Sequence, residues 1–295
     1  MPPGDREESD AEAVVVVLGS AGGPTPKVGR RPVAHALEVA DEISLVDCGN
    51  GVAGQLVEAG LDLAKLRRIL ITHHHIDHVA DVAVVLHLAW SQLRAPVRVI
   101  GPPPLRRLFE LHYEAFEVDI RSRMADEGWP HLRDLVDVIE LTSAETVDCG
   151  PARITAAPVE HPPIPSFGYR IDVAGRSVCF SGDTRPSEAV ADLARDVDLL
   201  VHETTYLNNA ASYLPPERAQ RVLTRMRSVH SEPVGAARIA AAARARALLL
   251  SPVGAFGPTS DDEIRREARS AYSGPISIGR DFLRVPVPSH KEVRN

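Results

Sequence analysis

The stretch Ile69-Leu70-Ile71-Thr72-His73-His74-His75-Ile76-Asp77-His78 decides how this chain is read. An apolar run stops abruptly in four histidines and an aspartate. Side chains alternate across a strand, so His73 and His75 can face one side while His74 faces the other. Asp77 and His78 then follow from a turn, where they can serve a second cation or set a carboxylate beside the first. Neutral imidazole and carboxylate are donors that suit Zn2+. A solvated histidine-rich turn is the bland alternative, but it does not account for an aspartate at this offset inside a globular pattern.

Around that stretch the chain is 295 residues long and 44% hydrophobic, enough to bury a large core. Aromatic residues are only 4%, so an aliphatic core is expected. The formal net charge of −7 gives no electrostatic reason to expect a polyanionic partner. Cys48, Cys149 and Cys179 are far apart and odd in number, which indicates neither a disulfide framework nor a thiolate metal site. The acidic start Met1 to Asp10 lacks a signal-peptide pattern, and Val14 to Leu18 is too short to span a membrane. A cytoplasmic protein without a membrane partner is the expectation, with self-association into a homodimer left open.

Short valine, isoleucine and leucine runs alternate with helical patterns along the whole chain. Strands are expected at 14–18, 35–39, 43–46, 68–71, 97–100, 136–141, 153–158, 168–173, 177–180, 199–202, 247–250 and 276–278. Helices are expected at 54–59, 79–90, 105–116, 188–195, 216–227, 233–245 and 261–271. Asp172-Val173-Ala174-Gly175-Arg176 reads as a tight hairpin turn. So many strands do not fit one flat sheet, whereas two facing sheets with helices outside would bury all of them. The expectation is an α/β, αββα sandwich forming one domain over 14–285. A disordered segment at 1–13 and a flexible tail at 286–295 would flank it. Residues 102–135 form a helical insertion holding many of the chain's few aromatics, either as a cover on a sheet or as a lid over a cleft. The turn Gly19–Gly23 lacks G-x-G-x-x-G spacing, and Pro24 and Pro26 oppose a following helix, so a nucleotide-binding turn is not expected.

The pattern His73-x-His75-x-Asp77-His78 resembles that of the metallo-β-lactamase-fold hydrolases. Other segments resemble that superfamily too: the glycine loop at Leu18–Pro24, Asp47-Cys48-Gly49, and Ser181-Gly182-Asp183-Thr184. The late stretch Ser273 to Asp281 is similar to the arylsulfatase-like and ribonuclease Z-like branch. The resemblance implies the four-layer αββα fold with two mixed sheets. It also implies a first metal on His73, His75 and His161, and a second on Asp77 and His78, with Asp183 bridging the two. Zn2+ would be the cofactor, in one or two copies, with Mn2+ or Fe as alternatives, and it would activate a water as nucleophile. The family's last ligand, a histidine, is replaced here: the chain reads Leu250-Ser251-Pro252, and proline offers no donor atom. That departure weakens the second site.

Two more segments resemble family motifs, Val201-His202-Glu203-Thr204-Thr205 and His230-Ser231. They imply that Glu203 holds His230 and that His230 protonates a leaving group, beside Asp77 as the third catalytic candidate. In the bacterial ribonuclease Z enzymes a long arm lies between the strands that correspond to Gly168-Tyr169-Arg170 and Ser181-Gly182-Asp183. Only Ile171 to Phe180 separate them here, one hairpin. With the negative charge, this makes a nucleic-acid partner unlikely as an expectation. The reading is a zinc-dependent hydrolase of a small ester: carboxylic ester, lactone, sulfate ester or phosphodiester. The alternatives are a ribonuclease Z-like phosphodiesterase, and a non-catalytic or weakly active metal-binding descendant suggested by Pro252.

Overall fold

Val14 to Leu18 is buried on both faces, as a strand must be when it is sandwiched between two apolar layers. Val15 and Val17 face inward between two sheets, and Val14, Val16 and Leu18 face outward to helices. The computed structural model describes residues 12–288. The strands in chain order are β1 (Ala13–Gly19), β2 (Ala34–Val39), β3 (Glu42–Val46), β4 (Leu66–Leu70), β5 (Val97–Gly101), β6 (Val136–Glu140) and β7 (Glu145–Cys149). They continue as β8 (Ala152–Val159), β9 (Ser166–Val173), β10 (Arg176–Phe180), β11 (Leu199–Tyr206), β12 (Leu248–Ala255), β13 (Ile276–Ile278) and β14 (Arg284–Pro286).

They make two seven-stranded sheets, ordered β14-β1-β2-β3-β4-β5-β6 and β13-β12-β11-β10-β9-β8-β7. Each sheet is antiparallel in one half and parallel in the other. One apolar cluster fills the space between the sheets, and two more fill the spaces between each sheet and its helices. This is the four-layer αββα sandwich.

Several boundaries differ from the sequence-based expectation. β11 and β12 run on to Tyr206 and Ala255, pairing in parallel beyond a register shift after His202, so Pro252 sits within a strand. The edge strands β7 and β14 have no apolar run to announce them, because an edge strand meets solvent along one side. The boundary expected at 286 falls inside β14: Pro286 pairs with Val14, and Val287 is buried, donating its N–H to the Ala13 carbonyl. Ala13 likewise belongs to β1, while the rest of the expected disordered segment, residues 1–11, and the tail 289–295 lie outside the described residues. No helix among the described residues is long and apolar enough to cross a membrane.

Residues from the expected insertion at 102–135 pack on the first sheet. Phe109, Tyr113 and Ile120 belong to the outer core of the first sheet, with Met124 and Trp129 packed against it. His87 and His112 join the helices beneath: His87 Nδ1 lies 3.0 Å from His112 Nε2, and His87 Nε2 lies 2.9 Å from Asp119.

One buried contact ties the second sheet to the histidine-bearing strand end. Tyr169, fully buried on β9, donates its hydroxyl to the Ile71 carbonyl at 2.8 Å. Tyr169→Phe leaves that carbonyl without its partner and is expected to lower unfolding stability by about 1–2 kcal/mol. Urea denaturation measures it; an unchanged midpoint would show that the contact does not brace the site.

Candidate metal centre

The parallel halves of both sheets end at one edge, and the chemistry-bearing residues leave from those ends. Asp47 follows β3, Thr72 to His78 follow β4, Ser181 to Asp183 follow β10, and Glu203 sits on β11 at the register shift between His202 and Thr204. Such carboxyl-terminal strand edges are where open sheets place their ligands. Gly49 is required there, because a Cβ would stand 2.7 Å from the Asp77 carbonyl oxygen. Gly182 has a φ of 61°, and its Cβ would stand 2.6 Å from the Phe167 carbonyl.

His73 Nε2 lies 2.8 Å from His75 Nδ1, which lies 3.2 Å from His161 Nε2. Asp183 completes a group of four whose donor atoms all fall within 4.8 Å of one another. Ligand atoms at about 2.05 Å from a tetrahedral zinc are separated by about 3.3 Å, close to this spacing.

The tautomers fit a cation as well. His161 Nδ1 faces the Val229 carbonyl at 2.9 Å, an acceptor only, so Nδ1 carries the proton and Nε2 offers a lone pair. His73 Nδ1 faces the Thr72 hydroxyl at 3.0 Å, and that hydroxyl donates onward to Asp47. His73 Nε2 is therefore also a free lone pair. Burial pulls the pKa values of His73, His75 and His161 below the ordinary imidazole value, which keeps all three rings neutral. His75 Nδ1 lies within hydrogen-bond reach of both of these lone pairs, the place a cation would take.

His78 is oriented in the same way from behind. Its Nδ1 lies 2.7 Å from the Asp47 carboxylate, and its Nε2 lies 3.6 Å from Asp183 and 3.7 Å from Asp77. Burial opposes a proton on His78, but Asp183 and Asp47 outweigh it and raise its pKa. Negative charge thus collects around this position, as a second cation would require. Asp77 reaches His78 but belongs to neither close group of donors.

The second group is Asp183, Glu203 and His230. Glu203 is buried, and its Oε1 accepts from His230 Nδ1 at 3.0 Å, from the Thr184 amide at 3.1 Å and from the Ser231 amide at 3.3 Å. His230 Nδ1 also lies 3.8 Å from Asp183. Burial would lower the pKa of His230, but Glu203 and Asp183 outweigh it and lift it to about 9. Burial pushes Glu203 upward, with His230 opposing.

A cavity of about 280 Å3 opens beside Asp183, Glu203 and His230, bounded by the glycine loop, Lys27, Met226 and Pro252. None of its lining comes from residues 102–135 or 162–167. Sequence reading passed over three residues here. Asp47 and Thr72 orient the histidines, and Lys27, its pKa lowered by burial, lines the cavity. Asp47 stood within a quoted motif, so its role had a signal; Lys27 had none. His74 points away, to the Pro102 carbonyl at 2.8 Å. His35 is buried against Ser251 Oγ at 2.7 Å, next to Pro252.

Fold and site together define a metal-dependent hydrolase of the metallo-β-lactamase fold. Residues 44–251 match the family described as the Beta-lactamase superfamily domain, and the chain belongs to it. More particularly, it is 32% identical to "Ribonuclease Z" of Mycobacterium bovis (strain BCG / Pasteur 1173P2), over 92% of this chain and 98% of that protein. Among solved structures it is similar to the metallo-beta-lactamase fold protein YhfI from Bacillus subtilis, with a TM-score of 0.69 and 21% identity over 93% and 99% of the two chains. It is also similar to human tRNase Z, short form, with a TM-score of 0.68 and 23% identity, again over 93% and 99%. The expectation that nucleic acid is an unlikely partner is overturned by the Mycobacterium bovis relative, a ribonuclease by name that is matched over nearly its whole length. It failed because a net charge of −7 is a sum over the whole surface, whereas a substrate meets the local field of one cleft.

Asp47→Ala would free the His78 ring and leave the Thr72 hydroxyl without its acceptor. Calorimetry is expected to show divalent-metal affinity reduced about 10- to 100-fold. Unaltered affinity in a folded variant would mean that His78 needs no support from behind.

Proposed function

We propose that this chain is a ribonuclease Z-like, zinc-dependent phosphodiesterase acting on RNA. The observation that carries the reading is the Glu203–His230 pair, set 3.8 Å from Asp183 on the wall of the cleft. The curated relatives side with this reading over a small carboxylic or sulfate ester. They are matched over nearly their whole length, so the tight hairpin at 173–176 does not separate this chain from them.

His73, His75, His161 and Asp183 would hold the first cation, and Asp77, His78 and Asp183 the second. When bound, zinc polarises a phosphoryl oxygen and makes water a nucleophile near neutral pH. The chain's own residues supply the rest. Asp77 accepts a proton or orients the attacking water, Glu203 fixes the His230 ring, and His230 delivers its proton to the departing oxygen. Lys27 adds positive charge to the cleft, which suits a phosphodiester.

The test is a 3′-extended precursor tRNA, with bis(p-nitrophenyl) phosphate run in parallel. Endonucleolytic removal of the extension is expected, and His230→Ala should slow it by about 100- to 10,000-fold. The same variant should lose far less on the nitrophenyl diester, whose leaving group departs without a proton. An enzyme that hydrolyses small esters and leaves RNA intact would defeat the proposal.

Pro252 favours a second reading, in which only one cation is held tightly. Purified protein should then carry about one tight zinc and take up another weakly, while His73→Ala with His75→Ala removes the tight one. Pro252→His should tighten the weak site. Two equally tight sites in the unaltered chain, measured by calorimetry and metal analysis, would rule this reading out.

A further inference from the structure

The helix Pro216–Val229 ends inside the candidate site. Its last residue, Val229, gives the carbonyl that orients His161; Met226 lines the cleft, and His230 follows directly. Along the same helix stand Arg218, Arg221 and Arg225, all exposed. Their spacing of three and four residues puts them on one face. None is within ion-pair distance of a carboxylate among the described residues, although most of the other surface arginines are paired. Arg225 reaches only the Pro162 carbonyl, at 3.3 Å. Arg227, by contrast, is neutralised by Glu232 at 3.0 Å and does not belong to the set.

Just before the helix, Tyr213 is 63% exposed, an unusual position for a ring in a chain with only five tyrosines. It is backed by the chain on one side, because a Cβ at Gly257 would meet the ring at 2.5 Å. A ring backed by main chain and open to solvent is a stacking platform. The helix is 14 residues long, about 21 Å, and its last turn meets the cleft; Gly257, behind the ring, directly follows Ala255 and Phe256 of the cleft wall, so the platform stands at the rim.

We propose that this helix is the RNA track of the protein: Arg218, Arg221 and Arg225 engage successive backbone phosphates, and Tyr213 stacks a base at the rim of the cleft. The inference rests on the RNA reading above and adds where the strand lies. Arginine suits the task because its planar fork pairs with phosphate oxygens in two-point contacts. It also supplies a place to hold RNA in a chain whose β9–β10 connection is only a tight hairpin.

The experiment measures binding of a 3′-extended precursor tRNA to the full chain across a salt series. The unaltered protein is compared with the triple variant Arg218→Ala, Arg221→Ala, Arg225→Ala, with Tyr213→Ala, and with Arg244→Ala as a surface control. The triple variant should bind on the order of 10- to 100-fold more weakly, and its plot of log affinity against log salt should flatten by about two. Tyr213→Ala should weaken binding by about 10-fold without changing that slope. Arg244→Ala should match the unaltered protein. Equal affinity and equal slope for the triple variant, with RNA binding intact in the parent, would overturn the track and leave the RNA reading standing. If the parent itself binds no RNA, it is the RNA reading that fails. Tyr213→Ala touches no charge and lies outside the helix, so it tests the track even if the triple variant folds poorly.

Discussion

Three neutral imidazole nitrogens pointed at a common centre are the arrangement on which the rest of this molecule depends. His73 and His161 approach His75 Nδ1 at 2.8 and 3.2 Å with their lone pairs inward. Left alone, such rings would rotate or take up a proton. What prevents this is behind two of them, the Val229 carbonyl on His161 and the Thr72 hydroxyl on His73, with the Asp47 carboxylate doing the same for neighbouring His78. Each partner fixes where a ring keeps its proton, and so which nitrogen faces the centre. Burial then disfavours protonation of all three converging rings.

The scaffold exists to bring those partners to one edge. Asp47 and Thr72 come from the first sheet, Asp183 and Glu203 from the second, and His161 from the turn between β8 and β9. Sheets packed through a dry aliphatic layer hold their strand ends in register, because the interior is close-packed and does not slide. Tyr169 adds a specific tie, crossing from the second sheet to the carbonyl of Ile71 at the root of the histidine segment. Glycines complete the fit at Gly49 and Gly182, where any side chain would strike backbone.

Charge is the property most easily misjudged from composition. A chain with a net −7 suggests no affinity for polyanions, yet its negative groups are largely spent in local pairs. Several carboxylates that are not so spent are buried around Asp183 and His78, where a cation would reverse their sign. Lys27 lines that cleft, and the helix that carries Arg218, Arg221 and Arg225 ends at it. Screening over about 10 Å makes this neighbourhood matter more than the total.

The sequence by itself determined the strand-and-helix alternation and, through it, the sandwich, because buried strands must be apolar and cannot hide in composition. It also marked His73, His75, Asp77 and His78 by their clustering, and His161, Asp183, Glu203 and His230 through the motifs that resemble the family's. Only the tertiary structure decided which of these meet. Asp77 reaches His78 without joining the close group, while Glu203 and His230 converge on Asp183 from residues 27 apart in sequence. Asp47, Thr72, the Val229 carbonyl and Lys27 acquire their parts in the same way. Hydrogen-bond direction depends on distance and orientation, and neither is written in the spacing of residues along a chain. The edge strands β7 and β14 escaped notice for a related reason: their apolar side exists only once a neighbouring strand covers it.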